Sequence, residues 1–443
     1  MDDSSVRSGG PSAGFGRSLS SRLGNMAPIR YGIVGGGFIT GFQLRALAAV
    51  RGIEVAGLVS RRPPTALAES VKAQGLGAGQ IFGSIREMAP HVDVIALFAP
   101  NFARLGHVKE VVDAVRAGSP LKAVICEKPL ARNLAEARRM VRLVEEVGLR
   151  HIYFENQLHM KTLQSTRSQL KAIMDAMGPP LLVRSAEEHS GPHNAWFWDP
   201  VRQGGGVLSD MGCHCLAVGW YALTPPGKPA TFLEPQSVSA NLALLKWGQP
   251  AWREKLVERF GVDYAQTPAE DFATGMVTYK NPETGRQSQA QFTSSWMYDK
   301  QGLRLSLDGL GPGYAFEMNT LRSALELFVG DDAARGVADS ESALEKSTAS
   351  RGLLAVQPNE ADLYGYTDEN IDARDAIVTG RPPLLDWHYG VEITRLTMAA
   401  YLSAERRATV DLTDPKTLAE LEDYVPLIQQ GRGREVFSPA SYS

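Results

Sequence analysis

The chain has 443 residues, and its hydrophobic share of 44% and charged share of 21% are typical of a globular protein with one to three domains. Its 46 basic and 49 acidic side chains nearly balance, so the net charge of −3 gives no electrostatic reason to expect nucleic acid or an anionic membrane as a partner. No apolar run approaches the roughly 18 residues that span a bilayer. Three cysteines are too few for a disulfide framework and indicate a reducing compartment, so we predict a cytoplasmic protein.

Residues 1–28 are rich in Ser, Gly and Arg and have almost no apolar periodicity, so we predict a disordered tail. They contain no apolar stretch of the kind found in secretory signals. From Tyr31 to Phe154 the chain alternates predicted strands and helices, which is typical of a parallel sheet covered by helices on both faces. We therefore predict a first domain over residues 29–155.

Three consecutive glycines follow the first predicted strand, and a helical pattern begins directly after them. The order of strand, tight turn and helix favours a dinucleotide-binding unit, although any α/β protein can contain such a turn. Gly35 would allow the sharp turn, and Gly37 would let a pyrophosphate approach the helix that starts at Phe38 and Ile39. Thr40 stands where the usual pattern has a third glycine.

Further polar residues follow the ends of other predicted strands, where ligands of such folds bind. After the second strand the chain has Ser60, Arg61 and Arg62 in place of the acidic residue that usually holds the ribose of NAD. Paired guanidinium donors suit the 2′-phosphate of NADP, so these residues favour NADP; a solvated basic loop is the alternative. Pro100-Asn101 and Glu127-Lys128 end two later strands.

The densest group of aromatic and polar residues lies after a predicted strand of the second domain, which we place at residues 156–430. His189, His193 and Trp196 belong to this stretch, and Asn156 precedes it. Flat aromatic surfaces flanked by polar groups suit a polyhydroxylated ligand, although a structural loop anchored by its tryptophans is an equal alternative. Residues 331–360 are polar and are predicted to form a surface insertion.

Asp210 and His214 lie four residues apart on a helix predicted from about Leu208 to Leu223, and so share one helical face. A carboxylate in that position can orient an imidazole that acts as a general base, although a lone helical histidine is usually structural. Cys213, His214 and Cys215 point in different directions on such a helix and no second cluster exists, so we predict no metal site.

Taken together, these motifs resemble the glucose-fructose oxidoreductase / inositol dehydrogenase / MocA (Gfo/Idh/MocA) family of NAD(P)-dependent oxidoreductases. The resemblance is carried by Gly35-x-Gly37, Pro100-Asn101, Glu127-Lys128-Pro129 and the run from Gly204 to His214. It implies an α/β protein: an N-terminal Rossmann domain with a doubly wound parallel sheet, and a C-terminal α+β domain built on a large, mostly antiparallel open sheet. In the family this sheet often forms the oligomer interface, which implies a homodimer or homotetramer. Arg104 and Gln43 stand where the family often has histidines.

The resemblance also implies roles for individual residues. Lys128, Asp210 and His214 would form the catalytic set, and Asn156, His189, His193 and Trp196 would contact the substrate. The residues predicted to bind the cofactor are Gly35, Gly37, Phe38, Ile39, Ser60, Arg61, Arg62, Pro100, Asn101, Glu127 and Lys128.

We therefore predict a dehydrogenase that oxidises or reduces a secondary alcohol on a sugar, glycoside, inositol or sugar-acid ring, with NAD(P) as cofactor. His214 would move the proton, Asp210 would orient it or hold a substrate hydroxyl, and Lys128 would stabilise an alkoxide or relay the proton. Two alternatives are an NAD-dependent glycoside hydrolase or lyase that acts through a transient keto-sugar, and a dinucleotide-sensing regulator without activity. The intact Lys128, Asp210 and His214 set argues against the regulator.

Overall fold

The computed structural model describes residues 27–300, 302–322, 326–329, 352–355, 359–438 and 441. Nearly all of the predicted tail over residues 1–28 and most of the predicted insertion over residues 331–360 lie outside these described residues. Within the part of the chain that the structure describes, no helix has the length and apolar character needed to cross a bilayer.

The first domain is built on a six-stranded parallel sheet. Its strands are β1 (Ile29–Val34), β2 (Ile53–Val59), β3 (Gln80–Ile81), β4 (Val94–Leu97), β5 (Ala123–Glu127) and β6 (Arg150–Phe154). They lie in the order β3-β2-β1-β4-β5-β6, and every pairing is parallel. The helices between them are α1 (Phe38–Leu47), α2 (Thr65–Ala73), α3 (Ile85–Met88), α4 (Asn101–Arg116) and α5 (Leu134–Glu145). This confirms the doubly wound Rossmann sheet.

Burial explains why the central strands have nearly continuous apolar sequences. All four residues of β4 are buried, because helices cover both faces of the sheet. Successive side chains point to opposite faces, so Ala96 packs into one hydrophobic core while Ile95 and Leu97 pack into the other. Since β1 pairs with both β2 and β4, the chain order reverses at β1 and a crevice opens at the carboxyl ends of these strands.

The second domain is built on a seven-stranded sheet in the order β12-β11-β7-β10-β9-β8-β15. Only β7 and β10 pair in parallel, so the sheet is mostly antiparallel and open, as predicted. Its elements up to the sixth strand are α6 (Lys161–Met177), β7 (Leu182–Glu188), α7 (Ala195–Trp198), α8 (Pro200–Gln203), a π-helical turn (Leu208–Gly212), α9 (Cys213–Leu223), β8 (Glu234–Ala243), α10 (Pro250–Phe260), β9 (Phe272–Lys280), β10 (Gln287–Ser295), β11 (Arg304–Gly311) and β12 (Tyr314–Asn319). The later elements are the hairpin β13 (Glu326–Val329) and β14 (Gly352–Ala355), then α11 (Glu360–Leu363), α12 (Tyr366–Thr379), α13 (Trp387–Arg406), β15 (Val410–Asp411) and α14 (Pro415–Asp423).

Three local predictions differ from the structure. The aromatic stretch that carries His193 and Trp196 is predicted as a loop but contains the short helix α7, and α8 follows it directly. The basic and aromatic connection through Trp247 and Trp252 is predicted as a loop between strands, but it includes the helix α10, which begins at Pro250 and ends before Gly261. The predicted helix from Leu208 begins as a π-helical turn and becomes α-helical only at Cys213.

After the second sheet, the chain returns to the first domain. Helix α12, which the predicted division places in the second domain, packs on α1, and its Ala373 belongs to a hydrophobic core of the Rossmann sheet. The backbone N–H of Tyr153 donates to the carbonyl of Leu385 at 3.1 Å. These contacts attach α12 and the segment that follows it to the first domain.

Candidate active site

A cleft of about 870 Å³ lies between the carboxyl edge of the parallel sheet and the second domain. Asn101 joins the two sides: its Nδ2 donates to the backbone carbonyl of Gln203 at 2.9 Å and to the side-chain oxygen of Gln203 at 3.0 Å. The cleft is lined by every residue to which the sequence assigned a role, namely Gly35, Gly37, Phe38, Ile39, Ser60, Arg61, Arg62, Pro100, Asn101, Glu127, Lys128, Asn156, His189, His193, Trp196, Asp210 and His214. Their individual roles stay predictions.

The glycine turn begins the cleft, and Gly35 and Gly37 differ in their surroundings. Gly35 has φ +136°, and a Cβ there would lie 2.7 Å from the carbonyl carbon of Phe98, so no other residue fits. Gly37 has no neighbour within 4 Å of its would-be Cβ, so this face of the turn is open to the cleft. Helix α1 starts directly after it, and the N-terminus of a helix suits a pyrophosphate.

Thr40 takes the place of the third glycine. Its side chain is fully buried, and its hydroxyl donates to the backbone carbonyl of Gly35 at 3.0 Å. The threonine therefore closes the turn from the side away from the cleft with a hydrogen bond that glycine could not make. The departure from the usual glycine pattern leaves the open face at Gly37 unchanged.

Two arginines line the cleft beyond the end of β2. Arg61 and Arg62 are exposed, and among the described residues neither has an ion-pair partner. Ser60 lies against the turn, because a Cβ at Gly36 would come within 2.5 Å of its hydroxyl. This end of the cleft therefore offers guanidinium donors that are not committed to a carboxylate in the described part of the chain.

The Glu127-Lys128-Pro129 segment is held in place by Arg104, one of the two departures from the family's histidines. The buried guanidinium donates to the carbonyls of Ala99 at 3.0 Å, Glu127 at 2.6 Å and Lys128 at 3.1 Å, and also to that of Pro129. The guanidinium of Arg104 thus bonds to backbone carbonyls, and its role in the structure is to fix the backbone of Lys128 at the edge of the sheet.

Gln43, the other departure, joins the first helix to the same segment. Its amide nitrogen donates to Glu127 and to Glu369 of α12, each at 2.8 Å, and its oxygen accepts from Asn370 at 2.7 Å. Burial raises the pKa of Glu127 and Glu369. One amide therefore bridges two buried carboxyl groups from different parts of the chain, and one of them, Glu127, directly precedes Lys128.

Lys128 extends from the end of β5 to the second domain. Its Nζ donates to the backbone carbonyl of Asp210 at 2.9 Å and lies 3.6 Å from the Asp210 Oδ1. Burial alone would lower the pKa of Lys128, but the negative charges of Asp210, Glu187 and Glu127 outweigh it and hold the pKa above the ordinary value. Of the two states left open by the sequence, the surroundings therefore favour the cation.

His214 is paired with Glu155 rather than with Asp210. Its Nδ1 is hydrogen-bonded to Glu155 Oε1, whereas Asp210 Oδ2 accepts from the indole N–H of Trp296 at 3.3 Å. The sequence interpretation placed Asp210 and His214 on one α-helical face, but Asp210 lies in a π-helical turn and its carboxylate is directed to Lys128. The carboxylate that orients the imidazole in the structure is therefore Glu155.

Burial shifts both members of this pair toward their uncharged forms. It raises the pKa of Glu155 to about 8 and lowers the pKa of His214 to about 3. At neutral pH the pair therefore carries one titratable proton, in addition to the hydrogen that a neutral imidazole always holds. Whether that proton lies on the carboxyl group or on the ring, Nε2 of His214 keeps its hydrogen. Only when the pair loses the proton can Nδ1–H donate to the carboxylate and leave Nε2 free to accept.

Aromatic side chains from both domains surround the mouth of the cleft. The ring of Phe38 lies 5.8 Å from that of His193, and the ring of Phe102 lies 6.3 Å from that of Trp196. Trp196 also stacks on Phe197 at 3.8 Å. We call Phe38, Phe102, His193 and Trp196 the aromatic rim. These flat surfaces lie on the same cleft as the polar groups of Lys128, Asp210 and His214, a combination that suits the ring of a carbohydrate.

Asn156 and His189, the two predicted substrate residues that lie deeper in the cleft, already make hydrogen bonds to the protein backbone. Asn156 donates its amide hydrogen to the carbonyl of Tyr364 at 2.7 Å. His189 is buried, and its Nδ1 accepts the backbone N–H of Gly191 at 2.9 Å, so a neutral ring carries its hydrogen on Nε2.

Sequence reasoning missed two buried carboxyl groups of the site. Glu155 follows β6 as Glu127 ends β5, so its place at the carboxyl end of a parallel strand was a signal that could have found it. Glu187 lies in β7, lines the cleft and accepts from the amide of Gln157 at 2.8 Å. Burial raises its pKa, while His214, Lys128 and the bond from Gln157 oppose the rise.

Outside the cleft, one group among the described residues has the composition of a metal site: Glu145, His151 and His388. The N–H of Trp387 donates to Nδ1 of His151 at 3.0 Å, so the neutral ring carries its hydrogen on Nε2, the atom that would have to bind a metal. His388 Nε2 lies 2.9 Å from the Glu145 carboxylate. This geometry is that of a hydrogen-bonded surface cluster.

Comparisons with known proteins match both halves of the chain. An oxidoreductase family with an NAD-binding Rossmann fold matches residues 29–155, and the GFO/IDH/MocA C-terminal domain matches residues 168–310. The chain is 28% identical over 188 residues to a 1,5-anhydro-D-fructose reductase from Ensifer adhaerens, covering 42% of this chain and 54% of the relative. It is 29% identical over 169 residues to an inositol 2-dehydrogenase from Cereibacter sphaeroides, covering 36% of this chain and 46% of the relative. The chain thus spans about half the length of the curated relatives it matches.

Solved structures share the fold over nearly their whole length. GenD2 from gentamicin A biosynthesis, in complex with NAD, superimposes with a TM-score of 0.68 at 21% identity, over 87% of this chain and 97% of that chain. A levoglucosan dehydrogenase in complex with NADH and L-sorbose gives 0.61 at 18% identity, over 87% of this chain and 99% of that chain. The two family domains follow each other in this chain as the two sheets do in its structure, and the protein therefore belongs to the GFO/IDH/MocA family of oxidoreductases.

Proposed function

We propose that the protein is an NAD(P)-dependent dehydrogenase that oxidises, or in reverse reduces, a secondary alcohol on a carbohydrate ring. The observation that carries the proposal is that Lys128 and His214, from different domains, line the same cleft as the open face of the glycine turn. A cationic donor and a titratable imidazole beside a dinucleotide site are the groups that hydride transfer from an alcohol requires. The names of the relatives, a sugar reductase and an inositol dehydrogenase, support this substrate class.

The residues present fit a dinucleotide. Gly37 and the start of α1 would hold the pyrophosphate, and Arg61 and Arg62 would hold a 2′-phosphate, so we propose NADP in preference to NAD. Glu127 and Lys128 follow β5, which β1 and β4 separate from β2 in the sheet, so the nicotinamide would lie on the Lys128 side of the cleft. When bound, the nicotinamide accepts or supplies the hydride.

Lys128 acts on the reacting oxygen of the substrate. Its ammonium group is held by the Asp210 carbonyl and carboxylate, and Asp210 is itself fixed by the indole of Trp296. A fixed cation stabilises the negative charge that develops on the oxygen as the hydride leaves the carbon. Asp210 is thus a positioning residue for the lysine in this mechanism.

His214 moves the proton. With Nδ1 occupied by Glu155, the nitrogen left for the substrate is Nε2, which takes the hydroxyl proton during oxidation and returns it during reduction. Glu155 sets the state of the ring and is a positioning residue. His189, His193, Asn156 and Trp196 contact the remaining hydroxyl groups and faces of the carbohydrate.

The test is a screen of the purified protein with NAD and with NADP against neutral sugars, glycosides, inositols and sugar acids. Nicotinamide absorbance and product analysis are measured on the same samples. Oxidised product with stoichiometric cofactor reduction supports the dehydrogenase. Cleaved glycoside without net reduction would support the hydrolase or lyase instead, and dinucleotide binding without turnover of any substrate would contradict both enzymes.

The assembly also belongs to this proposal. The outer face of the seven-stranded sheet would form the interface of a homodimer or homotetramer, as the family resemblance implies. Light scattering on the purified protein measures this directly, and a monomer at assay concentration would contradict it. Small carbohydrates are the proposed partners, and nothing in the charge balance favours nucleic acid.

A further inference from the structure

Glu187 is a cleft residue that the mechanism does not use. In β7 the buried residues Val183, Ser185 and Glu187 alternate with more exposed ones and therefore share one face of the sheet. Ser185 fixes which face this is, because its hydroxyl donates to the carbonyl of Cys215 in α9 at 2.8 Å. Glu187 thus faces the start of α9, next to His214, and lines the cleft with only 4% of its surface exposed.

The charges around Glu187 are mostly negative. Asp210, Glu127 and Glu187 line this part of the cleft, and Lys128 is the cation among them, already bonded to Asp210. The guanidinium of Arg104 is used on backbone carbonyls. This end of the cleft therefore presents hydrogen-bond acceptors in excess of cationic donors.

The other cations that line the cleft lie elsewhere. Arg202 pairs with Asp199 and lies 5.7 Å over the ring of Phe102 in the aromatic rim. Arg61 and Arg62 follow β2 at the end proposed for the cofactor's phosphate. A carboxylate or phosphate group of a substrate bound between Lys128 and His214 would thus meet Glu187 without a second cation to offset it.

We infer that Glu187 is a specificity-determining residue that accepts a hydrogen bond from a hydroxyl or ammonium group of the substrate, so that the protein acts on neutral or amino-bearing carbohydrates and rejects carboxylated and phosphorylated ones. This inference rests on the proposed dehydrogenase function and narrows its substrate class. A buried carboxyl group accepts strongly from O–H and N⁺–H donors. A second anion forced beside it is repelled in surroundings of low dielectric constant.

The experiment uses three matched sugars: a neutral sugar that the enzyme oxidises, its amino analogue and its uronic acid. We measure kcat/KM for each, and the Kd of each for the enzyme–cofactor complex by calorimetry. For the unmodified protein we expect kcat/KM for the uronic acid to be lower than for the neutral sugar by about 100-fold or more.

The variant Glu187→Gln keeps the shape and the contact with Gln157 but removes the charge. The unmodified protein should also prefer the amino sugar to the neutral sugar, because an ammonium group pairs with the Glu187 carboxylate. In Glu187→Gln we expect kcat/KM for the neutral sugar to fall about 10-fold and this preference to disappear. The ratio of kcat/KM between the neutral sugar and the uronic acid should shrink to about 10-fold or less. Glu187→Asp keeps the charge and should retain the discrimination. Glu188→Gln is the matched control, because Glu188 follows directly in β7, points to the other face and pairs with Arg304.

Several results would overturn the inference. One is equal use of the uronic acid and the neutral sugar by the unmodified protein; another is a Glu187→Gln variant whose discrimination stays within about twofold of the unmodified value. If Glu187→Gln does not fold, the inference is tested by the discrimination between neutral sugar and uronic acid in the unmodified protein and in Glu187→Asp. Turnover of neutral sugars without discrimination against acids defeats this inference alone, whereas no turnover and no binding of any sugar defeats the proposed function as well.

Discussion

A single hydrogen bond, between Nδ1 of His214 and Glu155, decides which ring nitrogen faces the substrate. A second residue-scale feature is the backbone carbonyl of Asp210, which holds the ammonium group of Lys128 at 2.9 Å. Neither contact follows from the spacing of these residues in the sequence. Together they place a cation and a proton carrier in one cleft, and each can be tested by itself.

Removing either catalytic group should stop turnover without removing the cofactor site. We expect Lys128→Ala and His214→Ala each to lower kcat by about 10²- to 10⁴-fold, since one loses the charge beside the reacting oxygen and the other loses the proton carrier. Fluorescence titration with the dinucleotide should give a Kd close to that of the unmodified protein. Near-normal turnover in either variant would remove that residue from the mechanism.

The Glu155–His214 pair should give opposite pH profiles for the two directions of reaction. Oxidation needs Nε2 of His214 without its hydrogen, so kcat for oxidation should rise as the pair loses its proton near the Glu155 pKa of about 8. Reduction needs the hydrogen on Nε2, so kcat for reduction should fall over the same range. Glu155→Gln should abolish the transition near pH 8 in both directions. Parallel profiles in the two directions, or an unchanged transition in the variant, would contradict the pairing.

At the scale of elements, strand ends supply the site. Glu127 and Lys128 leave β5, Glu155 leaves β6, and the arginines leave β2, so one edge of the parallel sheet collects the charged groups. The second domain adds the π-helical turn and the start of α9, which carry Asp210 and His214 across the cleft. The geometry of the turn directs Asp210 toward Lys128.

The end of β2 should decide between the two dinucleotides. We expect the double variant Arg61→Ala/Arg62→Ala to raise the Kd for NADP about 10- to 100-fold, because two charge-assisted hydrogen bonds to the 2′-phosphate are lost. The Kd for NAD should change by less than about twofold, since NAD lacks that phosphate. Calorimetry measures both values. An equal loss of affinity for NADP and NAD would indicate that the arginines do not bind the 2′-phosphate.

At the scale of the whole molecule, the packing of the two domains buries two carboxyl groups, Glu270 and Glu155, deeply enough to raise their pKa values. Glu270 accepts the N–H groups of Gly206 and Leu208 and the hydroxyl of Tyr401, and burial raises its pKa to about 7. It holds the glycine run that leads into the π-helical turn. Glu155 is raised further, to about 8. The folded state therefore binds protons that the unfolded chain releases at lower pH.

This proton binding predicts that stability decreases at alkaline pH. Glu270 has a raised pKa, so its contribution is complete below the unfolded value of 4.5 and is lost as pH rises to about 7. In the unfolded chain, Glu155 and His214 have both given up their proton at pH values above the ordinary histidine pKa of 6.5. The folded pair keeps one proton until about pH 8, the pKa of Glu155. The midpoint temperature of thermal unfolding should thus decrease as pH rises from about 5 to about 8, measured by scanning calorimetry without ligands. Glu155→Gln should reduce the slope, and a midpoint that rises over this range would contradict the account.

The sequence by itself determined the layout of the molecule. Apolar runs such as β4, the glycines at the first turn and the residues after each strand are local features, because strand burial, turn geometry and strand ends depend on neighbours in the chain. They were sufficient to predict the Rossmann sheet, and family resemblance was sufficient to predict the second sheet. The same local features and the family resemblance also identified residues that line the cleft.

Only the tertiary structure decided which of those residues are partners. Glu155 and His214 are 59 positions apart, Lys128 and Asp210 are 82 apart, and Gln43 and Glu369 are 326 apart. The pairs form because strands and helices from separate domains meet at one cleft, and no local pattern encodes such distances. The same meeting buries the carboxyl groups, and since a pKa depends on burial and on neighbouring charges, the chemistry of this site was decided when the two domains packed together.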